Sequence, residues 1–254
     1  MPYEGLAPYY DLLMAHVDYE AWVVFVARLL GVRPEAGGAP PRLLDLACGT
    51  GTFSVAFARR GFDVVAVDAS PEMLAVAEEK ARRHGVRSIL FTCQDLTEFA
   101  VDEPADAAIA LFDSLNYLVD DGALEKALDR VAKALKPGAP FVFDLNTEAR
   151  LREYAESVFV DRGDEVAYIW ESEFDGERKV CAMHLTLFVA KGGPASGLYT
   201  RCDEVHLERA FDPDHVARAL EGAGFAVEGI YGELELRPPA PEEGRCFYLA
   251  RRTG

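Results

Sequence analysis

Apolar positions along the chain change period several times, and each change marks an element. Trp22, Val23, Val26, Leu29 and Leu30 follow Tyr19 at three- and four-residue spacing, which predicts an amphipathic helix ending at Gly31. Residues 32–41 hold three prolines and two glycines and read as a loop. From Arg42 onward, short apolar runs alternate with amphipathic segments. Strands are predicted at Leu43 to Ala47, Val64 to Val67, Ser88 to Thr92, Ala107 to Leu111 and Phe141 to Leu145. Helices are predicted from about Phe53 to Arg60 and from Pro71 to His84, and through Leu124, Leu128, Val131 and Leu135 until Pro137-Gly138 stops the last. This alternation belongs to a parallel sheet with crossover helices.

Between about Asp164 and Glu208 the period falls to two. Val166, Tyr168, Trp170 and Phe174 share one face, Glu165, Glu171 and Glu173 the other, and Asp175-Gly176 supplies a tight hairpin turn. A second strand to about Ala190, a Gly/Pro/Ser loop and a third strand to Ala210 complete a three-stranded antiparallel meander. About 45 residues make a weak core alone, so the meander reads as an insertion, a lid or dimer surface. A helix from Asp214 to Ala223, stopped by Gly224, and strands near Ala226 to Tyr231 and Cys246 to Arg251 close the chain. The expected fold is α/β: a doubly wound, mostly parallel sheet with an antiparallel final strand and the inserted antiparallel sheet. Residues 1–41 form an N-terminal helical segment, 42–150 and 211–254 the core, and 151–210 the insertion.

Composition narrows the partners. The chain carries 26 basic and 43 acidic side chains, a net charge of −17, whose field repels phosphate backbones and anionic lipid surfaces. Basic residues run no longer than pairs such as Arg59-Arg60, Arg82-Arg83 and Arg251-Arg252, so neither nucleic acid nor membrane is expected as a partner. Cys48, Cys93, Cys181, Cys202 and Cys246 are odd in number and lack C-x-x-C spacing, which suggests reduced thiols. The N-terminus lacks signal-peptide features, and no apolar run approaches the ~18 residues of a membrane span. Cytoplasmic residence, as a monomer or homodimer, is the expectation.

The strongest chemical signal is Leu44-Asp45-Leu46-Ala47-Cys48-Gly49-Thr50-Gly51, a buried strand entering a glycine turn and then a helix. Glycines there allow close backbone approach to a ligand, and the helix N-terminus offers unpaired N–H groups. The second strand, Val64-Val65-Ala66-Val67-Asp68, ends in an acid seventeen residues after Gly51. That acid is placed to accept hydrogen bonds from two ribose hydroxyls, although an Asp can also end a strand merely to cap a helix. Ser70 and Pro71 supply the cap and first turn of the next helix. Thr92-Cys93-Gln94-Asp95-Leu96 and Leu111-Phe112-Asp113-Ser114-Leu115-Asn116-Tyr117 end the next two strands, where open α/β sheets place ligands.

In this order, LDLACGTG, VVAVDAS, CQDL, FDSLNYL and LKPGAPFVFDLN resemble the motifs of class I S-adenosylmethionine-dependent methyltransferases, over roughly residues 42 to 146. The resemblance implies a Rossmann-like fold, S-adenosylmethionine as cofactor and methyl transfer to a nitrogen or oxygen of a small molecule. By position it assigns Asp45, Ala47, Cys48, Gly49, Thr50 and Gly51 to the methionine part of the cofactor. Asp68 goes to the ribose, and Gln94, Asp95 and Leu96 to the adenine, with Ala69 and Met73 also among the cofactor-binding residues. Phe112, Ser114 and Tyr10 go to the reactive end. Tyr9-Tyr10-Asp11 and the meander are loosely similar to glycine N-methyltransferase and aminosugar N-methyltransferases. An NAD-dependent oxidoreductase is the alternative, but Ser54 stands where its third glycine or alanine would be. A non-catalytic cofactor-binding protein of the same fold is another.

A sulfonium already activates its methyl group, so positioning is the main task, worth roughly 7 to 11 kcal/mol. A base is needed only for a hydroxyl acceptor. Glu204 and His206, two residues apart on one strand face, are candidates, with Tyr10 and Tyr117; His184 is a further one. His184, Glu204 and His206 lack tight ligand spacing, and no metal is expected.

Overall fold

The computed structural model describes residues 3, 5–193 and 196–254. Pro194 and Ala195 of the expected Gly/Pro/Ser loop lie outside the described residues. A short helix α1 (Tyr10–Leu13) precedes α2 (Tyr19–Leu30), whose first turn is capped by the Asp18 carboxylate, an acceptor from Ala21 N at 3.0 Å. Gly31 takes the left-handed conformation that ends it, φ +66°.

The core follows as β1 (Arg42–Leu46), α3 (Thr52–Arg59), β2 (Asp63–Asp68), α4 (Pro71–Arg83), β3 (Ile89–Cys93), β4 (Ala107–Ala110), α5 (Ala123–Ala134) and β5 (Pro140–Asn146). Next come α6 (Glu148–Ala155), β6 (Phe159–Arg162), β7 (Val166–Asp175), β8 (Val180–Ala190) and β9 (Tyr199–Arg209). The chain closes with α7 (Pro213–Gly222), β10 (Phe225–Tyr231) and β11 (Arg245–Arg252).

Seven strands form the main sheet in the order β10-β11-β5-β4-β1-β2-β3, with β11 antiparallel to both neighbours. The strands of the sheet centre are buried on both faces. Leu44, Val65, Ala108 and Phe141 pack with Leu128 and Val131 of α5 and Leu220 of α7, while Leu43, Val64, Ile109 and Val142 pack with Val26 of α2 and Phe57 of α3. Neighbouring residues on one strand thus feed two layers of helices, which is why the runs read as continuously apolar.

The inserted sheet has four strands, β6-β7-β8-β9, and not the expected three. The extra strand β6 is four residues long and exposed on both faces, so no alternation marks it. Helix α6 likewise lies outside the expected elements; it is short and buries only Leu151. The hairpin after Asp175 is also longer than the expected Asp175-Gly176 turn. Residues 176–179 intervene, the Asp175 carboxylate accepts from Glu177 N and Arg178 N, and Lys179 takes positive φ.

Asn116, fully buried, joins the two sheets: its Nδ2 donates to Asn146 O of β5 and Arg209 O of β9, and its Oδ1 accepts from Asn146 N. This ties β9 to the end of β5 from which the cofactor-type turns emerge. The inner face of the insertion, with Val166, Leu185 and Leu187, packs on Leu6 and on Tyr3, Tyr9, Tyr10 and Leu13 of the N-terminal segment.

Candidate active site

At the carboxyl ends of β1, β2, β3 and β4 lies a cavity of about 270 Å³. Asp45, Ala47, Cys48, Gly49 and Thr50 line it from the first turn, Asp68, Ala69 and Met73 from the second, and Asp95 and Leu96 from the third. Phe112, Ser114, Tyr117 and Tyr10 line its remaining wall. Tyr3, Tyr19 and Phe53 complete an aromatic enclosure that the spacing of motifs did not reveal.

The first turn is shaped by two glycines with different jobs. At Gly49, φ +54°, a Cβ would meet nothing within 4 Å, so the turn leaves open space beside its backbone. Gly51, φ +72°, does not line the cavity. A Cβ there would stand 2.9 Å from Ala77 Cβ on α4, so this glycine serves the close packing of two helices. Gly51→Ala is expected to cost about 2 kcal/mol or more, through the left-handed backbone and the clash together; a melting temperature equal to that of the parent protein would refute this.

Asp68 is oriented before any ligand arrives. Its Oδ2 accepts from Gly49 N at 2.7 Å and its Oδ1 from Ser70 N at 2.9 Å. Burial raises its pKa, against the lowering effect of those N–H groups. Asp45 is pushed up to about 7 by burial, while the Ser54 hydroxyl, donating at 2.5 Å, works in the opposite direction. Ser54, at the place where a dinucleotide-binding turn would have glycine, therefore has a job of its own.

Gln94 corrects another expectation. Its side chain bonds both the N and the O of Ala100 and does not reach the cavity. The Thr50 side chain is also engaged in the fold: its hydroxyl donates to Asp11 at 2.7 Å and accepts from Lys80 Nζ at 2.9 Å. Lys80 bonds Asp11 and Thr52 as well, pinning α1 to the core.

His206 and Glu204 lie on the inner face of β9, both buried, but behind the cavity rather than in its wall. His184 pairs with Val205 and is exposed on the opposite face, so it joins neither. Glu204 accepts from Tyr3 N at 2.8 Å, Gly5 N at 2.6 Å and Leu6 N at 2.9 Å, which clasps the N-terminal segment onto the insertion. Burial tends to raise the Glu204 pKa, yet the bond to His206 and these three N–H groups outweigh it and hold the carboxyl below its ordinary range.

From Glu204 a hydrogen-bonded chain runs to the cavity. Glu204 Oε2 lies 3.2 Å from His206 Nε2, His206 Nδ1 lies 3.2 Å from the Tyr117 hydroxyl, and that hydroxyl lies 2.6 Å from the Tyr3 hydroxyl. An ionised carboxylate only accepts, so Nε2 carries the imidazole proton and Nδ1 accepts from Tyr117. Tyr3 then donates to Tyr117, which puts Tyr3, a residue of the cavity wall, at the end of the chain. Burial raises the pKa of Tyr3, Tyr10 and Tyr117, so all three enter the site as neutral phenols.

The methyltransferase domain family matches residues 43–138. YqeM of Bacillus subtilis (strain 168), which carries a methyltransferase name, is 33% identical over the whole of this chain and 98% of its own. The crystal structure of an S-adenosylmethionine-dependent methyltransferase from Clostridium acetobutylicum superposes with a TM-score of 0.84 at 29% identity, covering 97% of this chain and 96% of that one. A third relative, the dTDP-3-amino-3,4,6-trideoxy-alpha-D-glucopyranose N,N-dimethyltransferase of Streptomyces venezuelae, is 28% identical over 89% of this chain and 92% of its own. The chain belongs to the class I S-adenosylmethionine-dependent methyltransferases. The oxidoreductase alternative falls away with this result.

The cavity fits that cofactor in both shape and donor set. Open space beside the Gly49 backbone admits an extended chain, the two Asp68 oxygens retain further lone pairs, and Met73 and Leu96 offer apolar faces to a flat ring. Acids and aromatic rings in the wall suit a sulfonium cation. Among the described residues no helix is long and apolar enough to cross a membrane.

Proposed function

We propose that this enzyme transfers a methyl group to a nitrogen or oxygen of a small molecule, with a small amine favoured. The observation that carries the reading is the chain Glu204, His206, Tyr117, Tyr3, which brings a buried proton acceptor to the wall of the cavity, able to take the proton that a hydroxyl must lose or one that an amine sheds. Asp45 and Gly49 would hold the methionine part of the cofactor, Asp68 the ribose, and Met73, Asp95 and Leu96 the adenine, with Phe112, Ser114 and Tyr10 near the reactive end. When bound, S-adenosylmethionine supplies a methyl group already activated on sulfur.

The protein's own residues then orient the acceptor and take its proton. An acceptor N–H or O–H donates to the Tyr3 oxygen; as that proton transfers, Tyr3 passes its own to Tyr117, and Tyr117 passes one to His206 Nδ1. Glu204 holds the imidazole in the tautomer that can receive it and stabilises the imidazolium that forms. The tyrosines and the clasped N-terminal segment keep water out.

Relatedness to an aminosugar N,N-dimethyltransferase over both core and insertion supports nitrogen as the acceptor atom. The charge of −17 argues against polyanions. The reading carries with it a cytoplasmic monomer or homodimer without nucleic-acid or membrane partners. Incubating the purified protein with methyl-labelled cofactor and a small-metabolite extract should put label on a nitrogen or oxygen of a small product, identified by mass spectrometry. Efficient labelling of tRNA or DNA, with no labelled metabolite, would refute the proposal.

A further inference from the structure

Asp144 and Arg245 stand outside the cavity and have no part in the proton path, yet they converge on one of its walls. Strand β4 stops at Ala110, and the backbone then runs through Phe112 at φ +60° and Asp113 at φ +51°. Two successive residues with side chains in the left-handed region are disfavoured and persist only where the surroundings hold them. Phe112 lines the cavity, and its ring sits 4.4 Å from that of Trp22 and 5.5 Å from those of Tyr19 and Phe53. The direction of this turn therefore sets the position of one aromatic wall.

Asp144, on β5 and without solvent exposure, holds the turn. Its Oδ1 accepts from Phe112 N at 2.7 Å and its Oδ2 from Asp113 N at 2.9 Å. Arg245, on β11, donates through Nη1 to the same Oδ2 and through Nη2 to the Asp113 carboxylate at 2.7 Å. The guanidinium also lies 5.3 Å from the Trp22 ring and 5.9 Å from the Phe112 ring. Only a carboxylate at 144 can accept from two backbone N–H groups and a guanidinium at once; an amide offers one acceptor and a misplaced donor.

We infer that Asp144 and Arg245 are positioning residues for the cofactor site: together they lock the Phe112–Asp113 turn in its left-handed form and so fix the aromatic wall against which the cofactor is held. A salt bridge kept only for core stability would have no reason to spend both carboxylate oxygens on this turn. The inference rests on the placing of the cofactor in this cavity.

The test is calorimetric titration with S-adenosylhomocysteine, at a temperature where circular dichroism shows each variant folded. Asp144→Asn should weaken binding at least tenfold. A folded Asp144→Asn that binds within twofold of the parent protein would overturn the inference. If Asp144→Asn does not fold, Arg245→Lys replaces it; the charge stays but the fork is lost, and a threefold weakening is expected, with unchanged binding counting against. Asp68→Ala is the control arm, since unchanged affinity there would instead remove the cofactor from the cavity.

Discussion

Asp68→Ala is expected to weaken binding of S-adenosylmethionine or S-adenosylhomocysteine by two orders of magnitude or more. In the structure each Asp68 oxygen is already fixed by one backbone N–H, from Gly49 and Ser70, so the remaining lone pairs point in set directions without further ordering. Charge-assisted hydrogen bonds contribute about 1.5 to 3 kcal/mol each, and two of them to a ribose amount to roughly 3 kcal/mol or more, about a hundredfold in affinity. Truncation also frees Gly49 N, in the very turn that must approach the ligand. Titration calorimetry on the folded variant decides the matter, and affinity within a few fold of the parent would sink the assignment of the cavity.

Glu204→Ala should be the most damaging substitution for stability. Its carboxylate is the shared partner of three backbone N–H groups and of His206, all in an interface between the N-terminal segment and the insertion. Removing it leaves one buried and two part-buried backbone donors unpaired, a defect of the class that costs about 3 to 5 kcal/mol when a buried charged partner is lost. The pKa of Glu204 is depressed in the folded state, so its stabilising effect is fully present above the ordinary glutamate value of 4.5 and is lost as pH falls through the lower, folded value. The gap between parent and variant in chemical denaturation should therefore be wide at pH 7 and narrow below pH 4.5. An equal gap at both pH values, or none at pH 7, would show that the clasp is not what holds the N-terminal segment.

The Asp144 carboxyl sits in a different electrostatic position. Burial raises it to about 6, with the Arg245 charge working in the opposite direction. Its worth lies in direction rather than in net stability, since a buried ion pair roughly balances its own desolvation.

Much of the cavity wall was legible along the chain. Ala47, Cys48, Gly49, Asp68, Asp95, Leu96 and Phe112 each stand at or just past the carboxyl end of a predicted strand, and a doubly wound sheet gathers those ends into one crevice. The insertion was legible as alternation because one face of β7 is covered and the other exposed, whereas β6, exposed throughout, left no trace. Gln94 and Gly51 misled for a related reason: motif position says which loop a residue belongs to, and the path of that loop decides whether its side chain turns to the ligand or to Ala100, and whether a glycine faces a cavity or Ala77.

The sequence by itself determined the order of the strands and crossover helices of the main sheet and the chemistry offered at the turns between them. These depend on periodicity and backbone sterics within a few residues. Only the tertiary structure decided that Tyr3 lines the cavity, that His206 sits behind Tyr117, that Glu204 clasps the N-terminal segment, and that Asp144 and Arg245 hold the Phe112 turn. The physical reason is that each of these is a hydrogen bond between residues far apart in the chain, such as 3 with 117 and 204, or 112 with 144. Hydrogen bonds act over about 3 Å, so they exist only once packing has brought their partners together, and no spacing along the chain records them.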